Sequence, residues 1–595
     1  MKKLFSLFVF SIVLLRFSPL NADVIYTDPV KDAKMVNIHN RITFGFNNKI
    51  SLDGTSINNL ITVTGSVSGI HSGKTELIEN GKKLVFVPGT PFSYNETVNI
   101  VFNYGIISKV NSSEKIEYSF STESEKLVRN TRNSFNDFYS YQLFNGGNIN
   151  YNPRSEMPGL TVTVNNAPSE GKIFISNFPF TAIPNTPHLI IADNSGEVYA
   201  GLKLPGNALD FKKEPNGNLV YFNTAVSKYY ELNREYELID SFYCGNGYIT
   251  DGHELRILSN EHALLMSYDS QTVDMSQIVE GGDPNCLVIG LIIQEIDAQK
   301  NVVFQWRSWD AIPITDAQHQ NLTDTYLDYI HGNAIELDYD GNILISSRHL
   351  DEITKINRET GAIMWRLGGP ANNFTFTNDP GKFNYQHGIR RLPNGNIILF
   401  DNGNFHTPPH SRAVEYTLDE VNMTATLAWQ YRNTPDIFGF AMGFAQRLEN
   451  GNTLISWGSA NPTLTEVTPS GEIVLELSLP DGIYSYRAFK FPWDGKPLYV
   501  DLTSVKIPSA YRLKQNYPNP FNPSTKIDFD LPENTFVNLS IYDVLGREVK
   551  NLYNTTLSAG PYSVSFQSSE LPSGVYFYKL TTPDYSETKR MVIVK

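Results

Sequence analysis

Five side chains recur at corresponding places in a repeated stretch of this chain: His253, His331, Asn333, Arg348 and His387. Three imidazoles could hold zinc. A fixed guanidinium among them would oppose a dication, however, and no carboxylate stands at the same register. Arginine, imidazole and amide together suit an oxyanion with several oxygens, such as sulfate or phosphate. A neutral histidine can also act as a nucleophile and carry a transferred group. Metal is the second reading of this pocket. A single polar residue on a channel wall would ordinarily be only a solvated wall residue; the convergence of five points to function.

What brings them together is a repeat of strand, tight turn and strand. It occurs as Phe211–Val220 around Asn216-Gly217, Leu337–Ile345 around Asp340-Gly341, Leu392–Leu399 around Asn394-Gly395, and Leu448–Ile455 around Asn450-Gly451, with a degenerate copy at Ile257–Leu265. Asn-Gly and Asp-Gly favour hairpins because both residues tolerate positive φ. Seven residues before each first turn residue stand Leu209, His253, Asn333, His387 and Gly443; eight after it stand Thr224, Tyr268, Arg348, Asn402 and Gly458. Equal offsets in a radial repeat mean equal height, so these positions should ring one mouth of a central channel. His331 shares the strand face of Asn333, because side chains alternate with a period of two.

A second hairpin follows each copy, near Ile190–Leu202, Glu231–Phe242, Gln294–Trp306, Lys355–Trp365, Val414–Trp429 and Thr465–Leu477. Paired hairpins recurring in this way are the signature of a β-propeller. Six second hairpins predict six blades over 160–504, with the first or last completed by strands from both ends of the region. The chain is expected to be all-β throughout.

The flanks divide as follows. Lys2 and Lys3 precede the apolar run Leu4–Leu15, so 1–22 reads as an export signal that is too short for a membrane span. Short β-rich runs over 23–122, among them Ile42–Phe46, Ile61–Thr64 and Lys83–Val87, predict an antiparallel sandwich similar to bacterial Ig-like modules. Residues 123–159 and 505–512 are linkers. The segment 513–595 predicts a second small sandwich. Its motifs Asn516-Tyr517-Pro518-Asn519-Pro520-Phe521-Asn522-Pro523, Tyr542-Asp543-Val544-Leu545-Gly546-Arg547 and Gly574-Val575-Tyr576-Phe577-Tyr578-Lys579-Leu580 resemble the C-terminal sorting domains of the type IX secretion system. That resemblance implies passage through the periplasm, contact with the secretion machinery, and release or attachment at the cell surface.

Composition excludes other classes. The chain has 595 residues, with 48 Lys and Arg against 62 Asp and Glu, a net charge of −14. Without a basic tract it is a poor candidate for nucleic acid, which needs concentrated positive charge. An anionic substrate must be attracted by a few local cations. Two cysteines, Cys244 and Cys286, are too few for a four-cysteine zinc site, and their spacing leaves pairing open.

The middle region resembles the bacterial arylsulfotransferases that work without a nucleotide donor. The stretches that carry the likeness are Thr161–Asn166, Asp251-Gly252-His253-Glu254, His331-Gly332-Asn333-Ala334, Ile345-Ser346-Ser347-Arg348-His349 and Gln386-His387-Gly388-Ile389. The resemblance implies a secreted enzyme, with no cofactor, that moves a sulfuryl group from a phenolic sulfate to a phenolic acceptor. It makes His387 the nucleophile that becomes sulfohistidine and His331 the acid and base for the phenols. His253, Asn333 and Arg348 would bind the sulfate oxygens. The family also uses a hydroxyl from a later blade, where this chain has Gly443 and Gly458 at the aligned offsets; Ser456 is one candidate, and Ser485-Tyr486-Arg487-Ala488 could close the pocket. A non-catalytic propeller that binds an anionic or aromatic ligand is the main alternative, and an aryl sulfate hydrolase the second.

Overall fold

The computed structural model describes residues 22–50, 60–103, 115–125, 157–179, 185–501, 510–532, 535–557, 560–568 and 571–594. Residues 1–21 of the predicted export signal, most of the 123–159 linker and residues 505–509 of the 505–512 linker lie outside them. No α-helix occurs among the described residues, and none of their helices is long and apolar enough to cross a membrane.

Six sheets, each built on four antiparallel strands and three of them with an added parallel strand, span 161–501, and the fold is a β-propeller. Each predicted inner hairpin forms, with its glycine at the turn in positive φ: Gly217 at 88°, Gly341 at 81°, Gly395 at 88° and Gly451 at 88°. All six second hairpins form as well. The inner strands adjoin in cyclic order and bury aliphatic residues between neighbouring sheets, such as Leu344, Ile353, Ile389 and Leu399.

Both ends of the region close the ring. Ala488–Phe491 becomes the inner strand of the first sheet by pairing with Lys172–Ser176. Thr161–Asn165 adds an outer strand to the sixth sheet beside Ile473–Ser478.

The N-terminal module is a sandwich of two four-stranded sheets over a core that includes Phe44, Val63, Leu84, Ile100 and Phe102. It docks on the third propeller sheet. The Tyr26 hydroxyl donates to Gln305 O and accepts from Gln305 N, each at 2.9 Å. Arg307 donates to the carbonyls of Lys34 and Met35 at 2.8 and 3.0 Å. The C-terminal sandwich, a three-stranded and a four-stranded sheet, packs its core against propeller Tyr243. There the Lys228 ammonium lies 4.9 Å from the Tyr243 ring centre and 4.2 Å from that of Tyr562.

Cys244 and Cys286 are both buried and unpaired, and they sit in different core clusters. Burial pushes the Cys244 thiol up to about 12, so it stays protonated.

Candidate active site

His387 opens the inner strand His387–Arg391 of the fifth sheet. The pairing slips just after it: His387 faces Phe400, and the next partners are Arg390 and Ile398. Gly388 makes this bulge with φ 67°, and a Cβ there would lie 2.5 Å from the Phe444 ring. Bulges re-aim the side chain beside them, and here the imidazole turns toward His253 and Tyr486. The second and fourth sheets slip at the same place, between Leu209 and Lys212 and between Gly332 and Ala334.

The His387 ring is 2.8 Å from the Gly443 carbonyl through Nδ1. A carbonyl only accepts, so Nδ1 carries the proton and Nε2 keeps its lone pair. Burial, helped by the Arg487 cation and His253, holds this imidazole well below its ordinary value. It is a neutral base with its lone pair on the inner atom.

The expected histidines gather around it. His253 has its ring centre 6.2 Å from His387 and 5.1 Å from His331. Tyr268, which shares the register, lies 5.7 Å from both His253 and His331 and donates to Gly332 O at 2.6 Å. His331 is only half-buried and adopts φ 45°, a strained conformation for a histidine. Asp328 holds it there, accepting from its main-chain N at 3.0 Å and from Nδ1 at 2.7 Å.

No carboxylate stands at the shared register, but two reach these histidines from outside it. Asp328 serves His331, and Asp251 accepts from His253 Nδ1 at 2.6 Å. Neither stands at a repeating offset. Asp328 ends a short strand that runs parallel to the third sheet, and Asp251 precedes the inner strand of that sheet. Burial would raise Asp328, yet His331 and His349 hold it at about 2. Burial lowers His253 despite the opposing pull of Asp251.

Asn333 is buried beneath His387. Its amide donates to Gln386 O at 2.8 Å and accepts from Gly388 N at 3.3 Å, so it grips the backbone on both sides of the nucleophile candidate. One amide hydrogen remains for a ligand. Arg348 stacks 3.9 Å above the Tyr385 ring and donates to Phe440 O at 2.9 Å. It forms no ion pair among the described residues, and its buried Nε has no partner there. Burial lowers it to about 10, which still leaves it a cation at neutral pH.

Other positions at the shared offsets are structural. Leu209 lies in a core cluster, Thr224 bonds Asn207 O, and Asn402 is taken up by the carbonyls of Gly439 and Met442. Ser456 is buried opposite Phe444, and its hydroxyl has no partner among the described residues. The hydroxyl that reaches the nucleophile candidate belongs instead to Tyr486, 3.2 Å from His387 Nε2. Beside it, Arg487 bonds Asn333 O at 2.7 Å and pairs with Asp210 and Glu254 at 3.0 and 2.7 Å. Glu254 also receives Lys212 and Arg390, so a largely buried charge network underlies these side chains.

Three donor atoms, from Asp328, His331 and His349, lie within 4.8 Å of one another in the spacing of a metal site. They fit a cation poorly. His349 already gives Nδ1 to Asp328 O at 2.6 Å and accepts the Arg348 guanidinium at Nε2, 3.0 Å away.

Residues 157–487 match the family model for arylsulfotransferase (ASST), which covers more than half of the sequence, and the chain belongs to that family. Residues 515–594 match a secretion system C-terminal sorting domain, and 21–122 match a bacterial Ig-like domain. The sorting domain marks the chain for export, with secretion or attachment at the cell surface. No curated protein matches the chain. Among solved structures, a protein of unknown function from Bacteroides caccae is 13% identical, covering 54% of this chain and 99% of its own, with a TM-score of 0.35. The virginiamycin B lyase from Staphylococcus aureus, solved with quinupristin, is 9% identical over 64% of this chain and 94% of its own, at TM-score 0.27. A gluconolactonase from Xanthomonas campestris is 11% identical over 56% and 94%, at TM-score 0.29.

Proposed function

We propose that this protein is an exported aryl sulfotransferase that works in two half-reactions through a sulfohistidine at His387. The observation that carries the reading is the His387 ring, buried and neutral, with Nδ1 tied to Gly443 O and its lone pair on Nε2. Nε2 attacks the sulfur of a phenolic sulfate. The nitrogen–sulfur bond forms as the bond to the phenolic oxygen breaks, and the leaving phenolate takes a proton from His331 Nε2. A second phenol then returns a proton to His331 and takes the sulfuryl group.

Sulfuryl transfer resembles phosphoryl transfer, in which positioning and electrostatics do most of the catalysis. Arg348 supplies a cation that no carboxylate among the described residues pairs, and Asn333 its spare amide hydrogen. His253 would bind a sulfuryl oxygen through Nε2–H. Since Nδ1 already donates to Asp251, that requires the imidazolium. The Gly443 carbonyl stabilises the cationic sulfoimidazole.

The test is release of nitrophenol from p-nitrophenyl sulfate, with and without added phenol, by the full chain and by His387→Ala. Turnover that depends on phenol and is lost in the variant supports the reading. Turnover indifferent to phenol would mean hydrolysis. A folded wild-type protein that binds the sulfate ester without turnover would mean a binding module.

A further inference from the structure

Tyr486 sits just before the closing strand Ala488–Phe491, with its hydroxyl between two acceptors. His387 Nε2 is 3.2 Å away and His253 O 3.1 Å away. The carbonyl can only accept, and Nε2, with the ring proton committed at Nδ1, presents a lone pair. Two acceptors therefore share one phenolic proton. Burial raises this hydroxyl far above its ordinary value, so the proton stays on oxygen.

We propose that Tyr486 is a further catalytic residue, which caps the Nε2 lone pair of His387 in the resting enzyme and turns its hydrogen bond to His253 O as Nε2 bonds to sulfur. The proposal rests on the sulfohistidine reading for the second half of that cycle. No bond to Tyr486 forms or breaks; only the acceptor of its O–H changes. A hydrogen bond to the neutral form of a base disfavours its protonation, so the cap keeps His387 a nucleophile in moderately acidic surroundings. The other charged and titratable groups facing this ring are Arg487, His253 and His331, and all three act in the same direction. Arg487 is itself neutralised by Asp210 and Glu254.

Tyr486 is also a phenol in an enzyme proposed to sulfate phenols, and the geometry separates the two roles. An attacking oxygen approaches sulfur to about 3–3.5 Å, with the leaving nitrogen on the far side. It is then farther from Nε2 than the 3.2 Å seen for Tyr486. Once Nε2 carries sulfur, the acceptor left to the Tyr486 hydroxyl is the His253 carbonyl, which takes no proton from it.

The experiment is nitrogen-15 NMR of the full chain with labelled histidine, titrated from pH ~8 to pH ~4, for wild type and Tyr486→Phe. In wild type the His387 Nε2 resonance should lie between the values of a bare and a protonated imidazole nitrogen, a readout that needs no variant. In Tyr486→Phe it should move to the bare value, and protonation should begin at about tenfold lower proton concentration. The acid limb of kcat/KM with p-nitrophenyl sulfate should move by the same factor. A bare Nε2 in wild type, an unshifted titration, or sulfation of Tyr486 found by mass spectrometry after exposure to donor would overturn the proposal. If the titration shifts but wild type never turns over, the cap stands and the sulfotransferase reading falls.

Discussion

Asp328 gives one histidine two bonds, one to its backbone and one to its ring. The first sustains an unfavourable φ; the second fixes the tautomer so that Nε2 faces the phenol. Asp328→Asn should therefore lower kcat roughly a hundredfold to ten-thousandfold, the range of lost general acid–base catalysis. The donor KM should change far less, as steady-state kinetics with p-nitrophenyl sulfate would show. His253 makes a separate prediction. It is held neutral in the free site by burial, yet it must be charged to donate to a sulfuryl oxygen. Binding of a phenyl sulfate analogue near neutral pH should thus take up a proton. Calorimetry in buffers of different ionisation enthalpy should show the uptake fall by about one proton per site in His253→Gln.

The bulge at the head of the inner strand in the second, fourth and fifth sheets decides where the side chains beside it point. Gly388 is the sharpest case, since its left-handed backbone and the Phe444 ring both exclude a side chain. Gly388→Ala should cost about 2–4 kcal/mol in chemical denaturation and should disable His387 even in the fraction that folds. This regular construction is why so much was legible in advance. The turn residues Asn216, Asn260, Asp340, Asn394 and Asn450 mark the hairpins, and equal counting from them reaches His253, Asn333, Arg348 and His387. The same counting includes Leu209 and Asn402, which are core and loop supports, because an offset gives height without saying what fills it. It passes over Tyr486 and Arg487, since the closing strand arrives from the far end of the region with no hairpin turn of its own to count from. Asp251 and Asp328 come from connecting segments, where the repeat exerts no control.

Across the whole molecule, the Ig-like module is joined to the propeller by buried polar contacts that alternating strand patterns cannot reveal. Asp28 lies in that joint, with Gln305, Asn40, Arg307 and Asp310 around it. Burial pushes its carboxyl up to about 7, against the pull of Arg307. The folded protein thus keeps a proton that the unfolded chain releases near pH ~4. Stability should fall as pH rises from about 4 to about 7. Asp28→Asn should melt a few degrees above wild type at pH ~8 and match it at pH ~4, as scanning calorimetry would show.

The ring is finished by its last strand, and that strand brings Tyr486 to the lone pair and Arg487 to the backbone of Asn333. A chain halted before residue 486 could hold every histidine of the site and still lack the parts that set them in order. Order at this centre thus depends on a segment 233 residues beyond His253 in the chain.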